Sequence, residues 1–263
     1  MSGTMSETHG KFVWYELMTP DPKAAAKFYA SVVPWNAKDA GMAGMDYTLF
    51  RIGEAGVAGM MPMPPDAAAR DIPPNWSGYI GVDDVDAMTA AIKKEGGAVH
   101  HAPQDIPGVG RFAVVADPQG GVFLLFKPAS ADAPAPPAAH TPGMVDWREL
   151  HTTDQQAALG FYAKLFGWGK GDAMDMGPMG TYQIITRAGG EMVGGAFNSP
   201  ACAVTKQPFW LYYISVPSID AAKAKVEAGG GKITNGPMEV PGGAWVVQCV
   251  DPQGAHFALM GPK

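Results

Sequence analysis

Residues 14–35 read WYELMTPDPKAAAKFYASVVPW, and residues 147–168 read WRELHTTDQQAALGFYAKLFGW. Both fit the pattern W-x-E-L-x-T-x-D-x3-A-x2-F-Y-A-x4-W without a gap, so the chain carries an internal duplication. Working outward, WSGYIGVDDVDA from Trp76 is answered by WLYYISVPSIDA from Trp210, and DPQGGVFLL from Asp117 by DPQGAHFAL from Asp251. The landmarks come in the same order each time. The chain therefore divides into two modules, residues 10–127 and 144–263, joined by residues 128–143, PASADAPAPPAAHTPG. That Pro/Ala stretch has no hydrophobic period and predicts an extended, semi-rigid connector.

Each module predicts the same succession of elements. Asp21 before Pro22 is a helix cap followed by proline at the first helical position, and Ala24, Ala25, Phe28 and Tyr29 continue with helical spacing. Asp154 opens the matching helix. Tyr47 to Ile52 and Tyr182 to Thr186 alternate as strands and stop at Gly53 and Gly189. A second helix follows Asp84 and ends at Gly96 and Gly97, with Ser218 and Gly229 to Gly231 as counterparts. The closing strands are Val122 to Phe126 and Ala255 to Met260. The expectation is an α+β fold of tandem βαβββ modules, each with an extra helix, forming paired half-barrel sheets. Trp35, Trp168, Phe28 and Phe161 belong to its core.

Composition limits the function. In 263 residues the formal net charge is −6, against the basic surplus that phosphate-backbone binding requires, so no nucleic-acid partner is expected. No apolar run reaches the roughly 18 residues of a bilayer span, and the polar start from Met1 to Gly10 has no secretory h-region. A cytoplasmic protein without a membrane partner is the expectation. Two cysteines, Cys202 and Cys249, are too few for a disulfide framework or a four-thiolate metal site and read as inert. Gly56 to Gly59 and Gly229 to Gly231 lack the strand-to-helix context of a nucleotide loop and read as turns. Sixteen methionines, with Met42, Met45, Met60, Met61 and Met63 crowded before Pro64, read mostly as core filler and otherwise as an adaptable apolar rim.

The strand-helix opening ending in Phe-Tyr and then Pro-Trp in the first module or Gly-Trp in the second, closed by a D-P-x-G turn and a strand, resembles the vicinal oxygen chelate superfamily. That superfamily takes in glyoxalase I, bleomycin-resistance proteins and extradiol dioxygenases. The resemblance covers both modules and is strongest to the two-module glyoxalase-like branch. It implies a metal site drawing a His or Gln from the first strand and a Glu from the last strand of each module. The corresponding positions hold Trp14 and Leu124, Trp147 and Ala258. Indole and aliphatic side chains offer a divalent cation no lone pair, so no metal and no other cofactor is expected at the usual place.

Strand alternation puts Trp14, Glu16 and Met18 on one face, and Trp147, Glu149 and His151 on the matching one. If the two tryptophans take the ligand positions, Glu16 and Glu149 face the cavity beside an indole that excludes water, as a general base needs; the other reading has them anchoring the strands. His151, whose counterpart is Met18, joins them as a candidate acid-base residue, or as half of a relocated metal site with His256. Candidate ligand contacts are Trp14, Trp147, Met18, Leu124 and Ala258. Arg111, after a Pro-Gly turn, is either an anion contact or a solvated rim residue. Two functions follow, beside a third reading as a structural or interaction protein with vestigial cavities. One is a binder of a small, largely apolar or aromatic molecule without the usual metal, as the resistance branch implies. The other is a glyoxalase-type lyase or isomerase, or a dioxygenase-like enzyme, using Glu/His chemistry or moved ligands. The partner is a small molecule, with homodimerisation open.

Overall fold

The computed structural model describes residues 6–42, 44–130, 137–200 and 207–263. The first module runs β1 (Phe12–Thr19), α1 (Pro22–Val32), β2 (Asn36–Asp39), β3 (Thr48–Ile52) and β4 (Ala55–Pro62), then β5 (Asn75–Gly81), α2 (Val85–Lys94), β6 (Ala98–Ile106), β7 (Gly110–Ala116) and β8 (Val122–Pro128). The second repeats it with β9 (Val145–Thr152), α3 (Gln155–Phe166), β10 (Gly169–Asp175), β11 (Thr181–Thr186) and β12 (Met192–Asn198). It closes with β13 (Phe209–Ser215), α4 (Ile219–Ala228), β14 (Lys232–Glu239), β15 (Trp245–Val250) and β16 (His256–Gly261). Each module is thus two successive βαβββ motifs; the second helix belongs to a complete motif of its own. Trp14 and Trp147 occupy the same place on β1 and β9.

Two eight-stranded mixed sheets result, ordered β2-β3-β4-β1-β5-β8-β7-β6 and β10-β11-β12-β9-β13-β16-β15-β14. In both, the first strand runs parallel to the fourth, so Glu16 lies opposite Gly59 and Glu149 opposite Gly195. The helices start where the sequence places their caps. Asp21, Asp84 and Asp154 accept from the backbone N–H of Ala24, Ala87 and Ala157 at 2.9, 2.9 and 3.0 Å. Ser218 does the same for Ala221, and each such cap is worth about 1 kcal/mol.

The described residues fold into two compact units that do not follow the repeat: one gathers residues 6–13, 77–130, 148–200 and 207–210, the other residues 14–42, 44–76, 137–147 and 211–263. In the second, Tyr29 of α1 is completely buried and donates to Asp251 Oδ2 at 3.0 Å while accepting from Trp76 Nε1 at 2.8 Å. In the first, Tyr162 of α3 donates to Asp117 Oδ2 at 3.1 Å and accepts from Trp210 Nε1 at 3.0 Å. Each aspartate opens a D-P-Q-G turn, its other oxygen accepting two backbone N–H groups at 2.8 to 2.9 Å. The Phe-Tyr motif of one module therefore meets the D-P-Q-G motif of the other. The ring clusters follow suit, with Phe28 against Phe257 and Phe123 against Tyr162.

The module-end tryptophans make the same exchange. Trp35 donates to Gly143 O at 2.8 Å and Trp168 to Gly10 O at 2.9 Å. Gly10 and Gly143 have φ of +72° and +100°, and a Cβ on Gly143 would stand 2.9 Å from the Trp35 indole nitrogen. Glycine is required there both for its backbone conformation and for the close approach.

Candidate functional site

The first strands carry the candidate site because they run through the middle of each sheet, where alternate residues face opposite sides and both sides are covered. On β9, Glu149 and His151 are two apart and share a face. They are 7% and 3% exposed, and His151 Nε2 lies 2.8 Å from Glu149 Oε1. The other ring nitrogen, Nδ1, lies 2.7 Å from Ser199 Oγ, just past the end of β12. A neutral imidazole that donates Nε2–H to the Glu149 carboxylate accepts at Nδ1 from the Ser199 hydroxyl. The imidazole stacks on Phe209 at 4.4 Å and meets Phe197 edge-on at 4.9 Å. The polar pair thus sits between aromatic walls, which keep water out and strengthen its electrostatics.

On β1 the equivalent carboxylate has a different neighbourhood. The Tyr47 hydroxyl donates to Glu16, which is 8% exposed, and accepts from Trp14 Nε1 at 3.0 Å. Burial, followed by the negative charge of Glu16, pushes the Tyr47 phenol well above its ordinary value, so it stays a donor. Glycine makes the arrangement possible: a Cβ on Gly59 would overlap Tyr47, and one on Gly195 would overlap Tyr182. Both tyrosines lie over the strand position opposite the carboxylate. Met18, two residues beyond Glu16, takes the place that His151 holds on β9.

The remaining candidates are dispersed. Leu124 on β8 and Ala258 on β16 are buried, 5% and 0% exposed. The boundary between the compact units crosses β9 after Trp147, so Trp14, Glu16, Met18, Trp147 and Ala258 fall in one unit and Glu149, His151, Leu124 and Arg111 in the other. Arg111 forms ion pairs with Asp86 on α2 at 2.7 and 2.9 Å and with Asp105 on β6 at 2.9 Å. Those carboxylates hold its guanidinium charged above its usual range, at the rim. His256 is exposed on β16, whereas both His151 nitrogens are engaged within their own unit. Cys249 is free and buried, and burial pushes its thiol up to about 12; Cys202 lies outside the described residues.

Ser199, Phe197, Phe209, Tyr47 and Tyr182 are the site residues that the sequence did not bring forward. The two tyrosines left a signal, since each opens a matching strand and precedes a matching glycine. Ser199 left none, because only the fold carries the end of β12 to His151.

The chain belongs to the Glyoxalase/Bleomycin resistance protein/Dioxygenase superfamily, which it matches over residues 11–125 and 144–259. It is 34% identical over 251 residues to CFP32 of Mycobacterium tuberculosis, provisionally described as a glyoxylase, covering 95% of this chain and 94% of that protein. DnrV, an anthracycline biosynthesis protein of Streptomyces peucetius, is 30% identical over 264 residues, with 95% and 93% covered. Among solved structures, the Mn(II)-bound glyoxalase from Novosphingobium aromaticivorans superposes with a TM-score of 0.64 at 18% identity, covering 97% of this chain and 82% of that one. The 2,2',3-trihydroxybiphenyl 1,2-dioxygenase of Sphingomonas wittichii gives 0.66 at 13%, covering 96% and 90%. At these identities the structures speak for the fold alone.

Among the described residues, the divalent ion that the family implies meets no grouped donor set. Indole or aliphatic side chains stand at the expected positions, and among the described residues no three His, Cys, Asp or Glu side chains are grouped to hold a metal.

Proposed function

We propose that the chain binds a small, largely apolar or aromatic molecule without a divalent metal, and that the Glu149–His151 end of β9 is the polar anchor of that site. The observation that carries this reading is the 2.8 Å contact between two buried titratable groups, walled by the rings of Phe197 and Phe209. A pocket with apolar walls and a few placed polar groups is the usual form of a small-molecule site. The similarity to an anthracycline biosynthesis protein supports a fused aromatic ligand class, and binding without turnover would be a bleomycin-resistance-like role. The free, buried Cys249 is in keeping with a cytoplasmic setting.

Titration with an anthracycline, followed by quenching of tryptophan fluorescence in EDTA, tests the reading. Saturable binding unaffected by the chelator supports it. Loss of binding in EDTA, or conversion of a methylglyoxal–thiol adduct that depends on added metal, would favour a glyoxalase-type enzyme instead.

A further inference from the structure

The three side chains at the β9 end form a connected relay, Ser199 Oγ to His151 Nδ1 at 2.7 Å and His151 Nε2 to Glu149 Oε1 at 2.8 Å. We infer that this is a nucleophile–base–carboxylate triad and that the chain cleaves carboxylic esters bearing an apolar aromatic group, with Ser199 as the nucleophile. The inference rests on the proposal above that this face takes a small aromatic molecule.

The geometry supplies what the chemistry needs. A serine hydroxyl is a weak nucleophile until a base within hydrogen-bond reach takes its proton, and the base must be oriented by a third group. In the neutral tautomer that donates Nε2–H to Glu149, His151 presents a lone pair at Nδ1 to the hydroxyl. Glu149 is the positioning residue: it fixes the tautomer and stabilises the imidazolium that forms. The base and the carboxylate are buried, whereas Ser199 is half-exposed at the end of β12. Phe209, itself half-exposed, lies against the imidazole and offers an aromatic surface.

The internal repeat gives a second, independent observation. The backbone N–H of Ser199 donates to Thr152 O at 3.0 Å, and in the other module the N–H of Met63 donates to Thr19 O at 3.0 Å. Ser199 and Met63 are therefore structural counterparts, as His151 and Met18 are. The module that has the histidine also has the serine, and the other has methionine at both places. A histidine kept only to anchor its strand would not require this coupling.

The proposed reaction balances with water alone. Ser199 Oγ bonds to the ester carbonyl carbon as its proton passes to His151 Nδ1. The C–O bond to the alcohol then breaks, and the alcohol leaves with that proton. Water, deprotonated by the same nitrogen, attacks the acyl-serine, whose bond to Oγ breaks to release the acid and restore the hydroxyl.

The test uses the whole chain with p-nitrophenyl benzoate and a fluorophosphonate probe. The expected result is release of p-nitrophenol and addition of the phosphonyl group to Ser199, located by peptide mass. Ser199→Ala should lower the rate by about 100-fold or more, and Glu149→Gln should lower kcat more than it raises KM. Ser199→Cys is the second variant; iodoacetamide should alkylate the introduced thiol faster than that of Cys249, at a rate that falls when His151 is also replaced by Gln. A wild-type chain that binds the anthracycline but leaves Ser199 unlabelled overturns the triad alone. Labelling of Ser199 in a chain that does not bind the anthracycline overturns the ligand reading alone. Hydrolysis that survives unchanged in Ser199→Ala also overturns the triad.

Discussion

The hydroxyl of Tyr29 reaches the carboxylate of Asp251, 222 residues away in sequence, at 3.0 Å. Tyr162 and Asp117 repeat the relationship in the other compact unit. The duplicated motifs thus complete each other across the modules: each helix Phe-Tyr is locked by the other module's D-P-Q-G turn. Tyr29→Phe should leave Trp76 Nε1 and one carboxylate oxygen short of a partner and lower stability by about 1 to 3 kcal/mol. Because Tyr29 and Asp251 share one relay, the double variant Tyr29→Phe/Asp251→Ala should lose less than the sum of the single losses. Additive losses in urea unfolding would show that the contact contributes nothing.

Asp117 gives a pH signature. Burial, outweighing its backbone and Tyr162 hydrogen bonds, raises its carboxyl above the ordinary 3.8, so the folded chain holds that proton more tightly than the unfolded chain does. The stability it contributes is complete below the ordinary value and is lost as pH rises through the raised one. Across that window the Tm of the wild type should fall relative to that of Asp117→Asn. A constant difference between the two melting curves would contradict this.

Gly59 and Gly195 are predicted to be intolerant of any side chain, since Tyr47 and Tyr182 lie where a Cβ would go. Gly59→Ala and Gly195→Ala should each cost about 1 to 3 kcal/mol through displacement of the ring, read as a shift of the urea midpoint. Gly195→Ala should also weaken ligand binding more than Gly59→Ala, because it disturbs the strand beside Glu149.

Cys249 should be silent to thiol reagents in the folded state. Its thiol is buried and pushed up to about 12, so little thiolate is present near neutral pH. Reaction of Cys249 with Ellman's reagent should therefore appear only on denaturation, mapped by peptide mass to separate it from Cys202.

Much of this architecture was legible in the sequence because the duplication is ungapped and the helix caps are explicit. What escaped the sequence were the sheet edges. β2, with all four residues exposed, and β6, which contains Pro103 and alternates poorly, lie at the two ends of their sheet, as β10 and β14 do in the other. An edge strand needs no apolar face on its solvent side and tolerates proline, so the hydrophobic period that reveals central strands is missing. This is why a full second βαβββ motif looked like a helix and a strand pair. At the candidate site, alternation along β9 was enough to place Glu149 and His151 together. Ser199 and Phe209 required the fold, because the parallel pairing of β12 carries Ser199, and the neighbouring strand β13 carries Phe209, to the end of β9.

The central claim is that a small aromatic molecule binds at the Glu149–His151 end of β9 without a metal. The most direct measurement is the dissociation constant of an anthracycline in EDTA for the wild type and for Glu149→Gln, His151→Ala and Glu16→Gln. The account predicts saturable binding, weakened by about 1 to 3 kcal/mol in the first two variants and far less in Glu16→Gln. Equal losses for Glu16→Gln and Glu149→Gln, or no loss in any variant, would contradict it.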